Sequence, residues 1–128
     1  MTDRPILVVE DDAGLQDVLQ GIIEMRGFVA AAAFNGAEAL ALLDQVQPRL
    51  ILLDLNMPVM NGWEFLAAFR QRADCPGIPV VVLSAFGSYL AARGAGANDY
   101  LSKPFEIHAL LGLIDRYCGP AAETHRKI

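Results

Sequence analysis

Cysteine is scarce in this chain: Cys75 and Cys118 are the only two among 128 residues. They form no CxxC pair and no histidine cluster accompanies them, so neither a disulfide framework nor a zinc site is indicated, and two reduced thiols are expected. Long apolar runs are missing as well. None approaches the roughly 20 residues of a bilayer span, and no membrane insertion is expected. The opening "MTDRPILVVEDD" lacks the basic, apolar and small-residue segments of a secretory signal, so the expected location is cytoplasmic. Positive charge is also in short supply, with 10 Lys and Arg against 15 Asp and Glu and a formal net charge of −5. Direct nucleic-acid binding, which needs a basic face to displace counterions from phosphates, is therefore not expected. The tail "HRKI" is the one basic cluster, and it is too short for a DNA-binding module.

What the chain does have is apolar content. Hydrophobic residues make up 54% of it and charged residues 20%, enough for one packed domain and not for two. Residues 1–120 are read as that domain, with 121–128 as a short tail. "PILVVE" (5–10) is a β-branched run ending in acids, and Leu15, Val18, Leu19, Ile22 and Ile23 then recur at helical spacing. Gly27 stands where a left-handed helix cap is favoured. "FVAAAAF" reads as a weaker strand. "NGAEALALLDQV" reads as a helix with Ala37, Leu40, Ala41 and Leu43 on or near one face. "LILLD" and "IPVVVLSA" are apolar on consecutive positions, the pattern of strands covered on both faces. Between them lie the loop "LNMPVMNG" and a helix over about 63–72. A short helix near 88–94, the strand "NDYLS" and a last helix carrying Ile107, Leu110, Leu111 and Ile114 complete the pass.

Five strands alternating with five helices predict an α/β sandwich with a parallel sheet, because parallel crossovers are right-handed and need a covering helix. Ligands of such sheets bind at the carboxyl ends of the strands. Those ends carry Glu10 and Asp11, Asp54, Ser84 and Lys103, from four separate stretches of sequence. Singly, each has an ordinary reading as a helix-cap acid, turn residue or surface charge. Together, three carboxylates within about 5 Å would repel by roughly 3 kcal/mol per pair at an effective dielectric near 20. Something positive must sit among them. An acid-rich, oxygen-only site suits a hard cation such as Mg²⁺, while Lys103 and Ser84 offer what a phosphoryl group's oxygens require.

The segments "ILVVEDD", "LILLDLNMPVMNGWEFL", "IPVVVLSA" and "GANDYLSKPF", in that order and at those intervals, resemble the receiver domain of two-component response regulators over nearly the whole chain. The resemblance implies a flavodoxin-like doubly wound (βα)5 fold with strand order 2-1-3-4-5. It implies that Asp54 is the phosphoacceptor, charged by a histidine kinase or a histidine phosphotransfer protein. It implies Mg²⁺ as cofactor, held by Asp11 directly, Glu10 largely through water, Asp54, and the main-chain carbonyl of Asn56. Ser84 and Lys103 would hold the phosphoryl oxygens, Ser84 and Tyr100 would act as switch residues, and the peptide bond before Pro104 would be cis. A downstream protein target would read the switched surface formed by the fourth helix, fifth strand and fifth helix.

The chain also departs from the family's pattern. Ser84 and Lys103 are 19 residues apart, about one helical turn short, and the shortage falls on the fourth helix. Arg49 stands where many relatives have an acid. Phe86 puts a bulky group near the path of a hydrolytic water. Trp63 and Phe65 are expected to pack or to line the adjacent surface, Met57 and Met60 to shape the loop beside Asp54, and His108 and His125 to be ordinary surface residues. "GAGAND" precedes a strand and lacks a third glycine, so it reads as a turn and not as a phosphate loop. With only 25 residues after Lys103, no output domain is expected to follow. Two alternatives stay open: a receiver-shaped adaptor that is never phosphorylated, and a metal-dependent phosphohydrolase. The second would want a general base commonly two residues beyond Asp54, where Asn56 stands.

Overall fold

Ile6 and Leu7 are neighbours in sequence, yet they pack into different cores and both are fully buried. Successive residues of a strand face opposite sides of its sheet, so a strand apolar at every position needs cover on both faces. The computed structural model describes residues 4–57, 59–72, 77–84 and 89–119. Its elements are β1 (Ile6–Val9), α1 (Ala13–Met25), β2 (Ala30–Ala33), α2 (Gly36–Leu42), β3 (Leu50–Asp54), α3 (Gly62–Arg70), β4 (Val80–Ser84), α4 (Tyr89–Gly94), β5 (Asp99–Ser102) and α5 (Ile107–Cys118). All pairings are parallel and the order is β2-β1-β3-β4-β5, as the resemblance implied.

The alternation sorts the strands' side chains into two layers. Leu7, Val9, Ile51, Leu53, Val80 and Val82 meet α2, α3 and α4, where Phe65 stacks on Phe69 at 5.6 Å between ring centroids. Ile6, Val8, Leu50, Leu52, Val81 and Leu83 meet α1 and α5 through Leu19, Ile23, Leu110 and Ile114. Among the described residues, α1, α2 and α3 start on side-chain caps. Asp12, Asn35 and Asn61 accept from the backbone N–H groups of Leu15, Glu38 and Glu64, and Glu64 closes a capping box on Asn61. Gly27, at φ 91°, follows the end of α1 in the left-handed region.

Three local expectations change. In α2 the buried residues are Gly36 and Ala39, with Leu43 behind them, while Ala37 and Ala41 are exposed. Alanine is apolar enough to fit any face of a short helix, so the pattern there could not choose one. On α1, Val18 is 53% exposed and the buried position beside Leu19 and Ile23 goes to Gln16 instead. Arg49, without explanation in the sequence, has a structural one: its Nε donates to Arg4 O at 2.7 Å and its guanidinium lies 5.0 Å from the centre of the Phe28 ring. The short interval between β4 and β5 is met by a six-residue α4.

Candidate functional site

Three side chains of the rim share one side of the sheet. Asp54 ends β3 with the parity of Leu50 and Leu52, which face α1 and α5; Glu10 continues the alternation of Ile6 and Val8, and Lys103 that of Leu101. Ser84 ends β4 one step beyond Leu83, the partner of Asp54, and its carbonyl accepts from Lys103 N–H at 2.7 Å. Glu10, Asp54 and Ser84 are buried, while Asp11 is exposed at the mouth. Asp12, third in the acidic run, turns away to cap α1.

Oxygen atoms of Glu10, Asp11 and Asp54, one from each, all lie within 4.8 Å of one another. Lys103 Nζ donates to Glu10 Oε1 at 2.8 Å and lies 3.3 Å from Asp54 Oδ1. One ammonium against three carboxylates leaves an excess of negative charge at the cluster. The two partners of the shorter pair respond differently to their surroundings. Burial raises the Glu10 carboxyl above its ordinary value, and the hydrogen bonds from Lys103 and Asp12 only partly counter it. For Lys103 burial works against the charge, but the Glu10 hydrogen bond and the charges of Asp54 and Glu10 prevail and raise it. An all-oxygen cluster with negative charge to spare fits a hard divalent cation.

The loop after Asp54 is held by two close backbone approaches. Gly62 N–H donates to Leu55 O at 3.0 Å, and a Cβ on Gly62 would fall 2.3 Å from Asp54 O. Gly36 N–H donates to Met60 O at 2.9 Å, and a Cβ there would fall 2.8 Å from the same oxygen. Only glycine permits either contact. Between them Asn56 N–H donates to Asp54 Oδ1 at 3.4 Å, and Val59 sits at φ 68°, 83% exposed.

The profile described as "Response regulator receiver domain" matches residues 6–115. The chain belongs to this family. Receiver domains are the phosphoryl-accepting signalling modules of two-component systems, and this receiver is 36% identical over 121 residues to an uncharacterised 14.6 kDa protein of Leptolyngbya boryana, with 92% of each chain covered. It is 35% identical to the DNA-binding dual master transcriptional regulator RpaA of Synechocystis, covering 96% of this chain and 54% of that one. The receiver thus spans about half the length of that relative and of several further transcriptional regulators. The receiver domain of the sensor histidine kinase PA1611 from Pseudomonas aeruginosa superposes with a TM-score of 0.82 at 27% identity, covering 92% of this chain and 99% of that one, and holds a magnesium ion in its active-site cleft.

Around the receiver's rim, Tyr100 lies half-buried on β5 against the α2–α4 side, opposite in parity to Lys103. The Lys103–Pro104 peptide bond is cis. Phe65 is fully buried; Trp63, Met57 and Met60 pack against the same core, and His108 is exposed. Burial lifts the Cys118 thiol to about 11, so it stays protonated at neutral pH. Phe86, Cys75 and His125 lie outside the described residues.

Sequence reasoning missed three residues whose contacts reach the backbone around this site: Gly62 at Asp54 O, Gly36 at Met60 O and Gln16 at Glu10 O. Gly62 and Gly36 left no signal, because a close approach between distant segments has no local signature. Gln16 did leave one. It interrupts the buried stripe of Leu19 and Ile23 at the i, i+3, i+7 spacing with an amide, and a polar side chain there needs buried partners.

Proposed function

We propose that Asp54 of this receiver accepts a phosphoryl group from a phosphohistidine, carried by a histidine kinase or a histidine phosphotransfer protein, and that Mg²⁺ is the cofactor. The observation that carries this reading is the convergence of Glu10, Asp11 and Asp54 oxygens within 4.8 Å beside the Lys103 ammonium. Glu10, Asp11, Asp54 and the main-chain carbonyl of Asn56 would hold the cation, which supplies positive charge to the donor's phosphoryl oxygens and to the cluster.

In the transfer an Asp54 oxygen forms a bond to phosphorus as the phosphorus–nitrogen bond of the donor breaks, and the imidazole takes the electron pair and a proton. Lys103 lowers the repulsion between the entering carboxylate and the phosphoryl oxygens, and afterwards pairs with the group it helped to admit. Burial of Asp54 at the end of a central strand fixes the nucleophile without a flexible loop. An apolar groove of about 460 Å³, lined by Leu15, Val18, Ile22, Pro104, Phe105 and Ile107 and sharing Lys103 with the site, suits a donor that is itself a protein.

The phosphoryl group brings about −1.5 to −2 charges to the rim. The Ser84 hydroxyl moves toward its oxygens, Tyr100 follows inward, and the surface of α4, β5 and α5 changes for a downstream protein target. No described helix is long and apolar enough to cross a membrane, and the cytoplasm is the proposed place of action. Phosphoramidate, a small donor with the same phosphorus–nitrogen bond, tests the reading. The expected product is one phosphoryl group per chain, released by neutral hydroxylamine as an acyl phosphate must be and absent in Asp54→Asn. A hydroxylamine-stable label contradicts it.

A further inference from the structure

Four polar residues are buried among the described ones. Glu10, Asp54 and Ser84 belong to the rim. The fourth, Gln16, is on α1 and has no part in the chemistry above. Its amide nitrogen lies 3.2 Å from each of three carbonyl oxygens, those of Val8, Glu10 and Ala33. Carbonyl oxygens only accept, so the NH₂ end must face them. The other end agrees, because Gln16 Oε1 accepts from Gln20 Nε2 at 3.1 Å. The main chain adds a further tie: Gln16 N–H donates to Asp12 O at 2.8 Å. One residue thus fastens the strand-to-helix turn 10–12 at its first and last carbonyls, while Glu10 N–H is held by Ala33 O at 3.0 Å.

That turn carries two of the three clustered carboxylates. Lys103, between Glu10 and Asp54, offsets part of their mutual repulsion. Its single charge cannot cancel three, and the backbone of the turn must resist the rest. A leucine at position 16 would complete the buried stripe of α1 better than an amide does. The amide earns its place by the carbonyls it bonds, and removing it would leave buried acceptors short of donors.

We propose that Gln16, oriented by Gln20, is a positioning residue for cation binding, holding the 10–12 turn so that Glu10 and Asp11 stay within reach of Asp54. The inference rests on the reading that this cluster binds Mg²⁺. The probe is MgCl₂, titrated into the ¹⁵N-labelled full chain and followed by amide chemical shifts of residues 10–12 and 54–57, with melting temperature measured in parallel without metal. Gln16→Met keeps the length of the side chain and removes its donors. Its Kd for Mg²⁺ is expected to weaken about tenfold, the lower end of what losing partners behind the ligands costs. Gln20→Leu leaves Gln16 in place without its orienting partner, keeps the protein testable if Gln16→Met does not fold, and is expected to weaken Kd by about threefold. Ile114→Val, on the buried face of α5, is the stability control and is expected to lower the melting temperature without changing Kd.

Unchanged affinity in the glutamine variants overturns the proposal and leaves the receiver reading standing. Equal weakening in all three variants overturns it too, by making affinity a by-product of stability. A wild type that binds no Mg²⁺ overturns the reading itself, and the proposal with it.

Discussion

Lys103 Nζ lies closer to Glu10, at 2.8 Å, than to Asp54, at 3.3 Å. The ammonium is therefore shared between a carboxylate read as a metal ligand and the one read as the nucleophile, and a cation entering the cluster competes with it for both. Lys103→Met removes the competitor. In that variant Mg²⁺ is expected to bind about tenfold more tightly, in line with the loss of a few kcal/mol of like-charge repulsion reduced by solvent screening. Phosphoryl transfer is expected to slow by at least about tenfold, because one charge aimed at the phosphoryl oxygens is gone. Metal titration and donor-labelling rates on the same preparation separate the two effects.

The raised carboxyl of Glu10 gives a pH signature. A carboxyl that binds its proton more readily in the folded than in the unfolded protein contributes most to stability below its unfolded value of 4.5, and that contribution is lost as pH rises through the folded value. Glu10→Gln is therefore expected to melt above the wild type at neutral pH in metal-free buffer. The gap should narrow as the solution is acidified through the raised Glu10 value. Thermal melts between pH 4 and pH 8, a window of about four units running upward from the ordinary carboxylate range, read this directly. Added Mg²⁺ should stabilise the wild type far more than the variant.

Gly62 predicts damage that comes through the backbone, with no charge removed. A Cβ on it meets Asp54 O at 2.3 Å and Leu55 Cα at 2.7 Å, so Gly62→Ala forces backbone apart directly behind the nucleophile. A loss of about 2–3 kcal/mol in denaturant unfolding is expected, together with slower labelling of Asp54 than the lost stability accounts for.

Val59 predicts the reverse. It is exposed, β-branched and at φ 68°, a conformation costing an L-residue roughly 1–2 kcal/mol. Val59→Gly removes that cost and adds some chain entropy to the unfolded state, for a net gain of about 1 kcal/mol by equilibrium denaturation. Asn at the same position should give part of the gain.

Much of this molecule was legible in its residues. β1, β3 and β4 announced themselves as apolar on every position, which only a sheet covered on both faces can accommodate. The rim was legible because Glu10, Asp11 and Asp54 are acids set at the ends of such runs, with Lys103 at the end of the more polar β5. α2 was harder, since Ala37 and Ala41 are as small as the residues that are in fact buried and hydrophobic periodicity loses its contrast. Gln16 is a visible gap in the apolar stripe of α1, but its partners, carbonyls of β1, β2 and Glu10, are not encoded in local spacing. The preference of Lys103 for Glu10 depends on side-chain reach across two strands, which spacing along the chain does not encode.

Intact-mass measurement after incubation with acetyl phosphate tests the account most directly. One phosphoryl addition is predicted for the wild type in the presence of Mg²⁺, with little or none in EDTA and none in Asp54→Ala. Equal addition to Asp54→Ala would contradict the assignment of the phosphoacceptor, and undiminished addition in EDTA would contradict the role given to the acidic cluster.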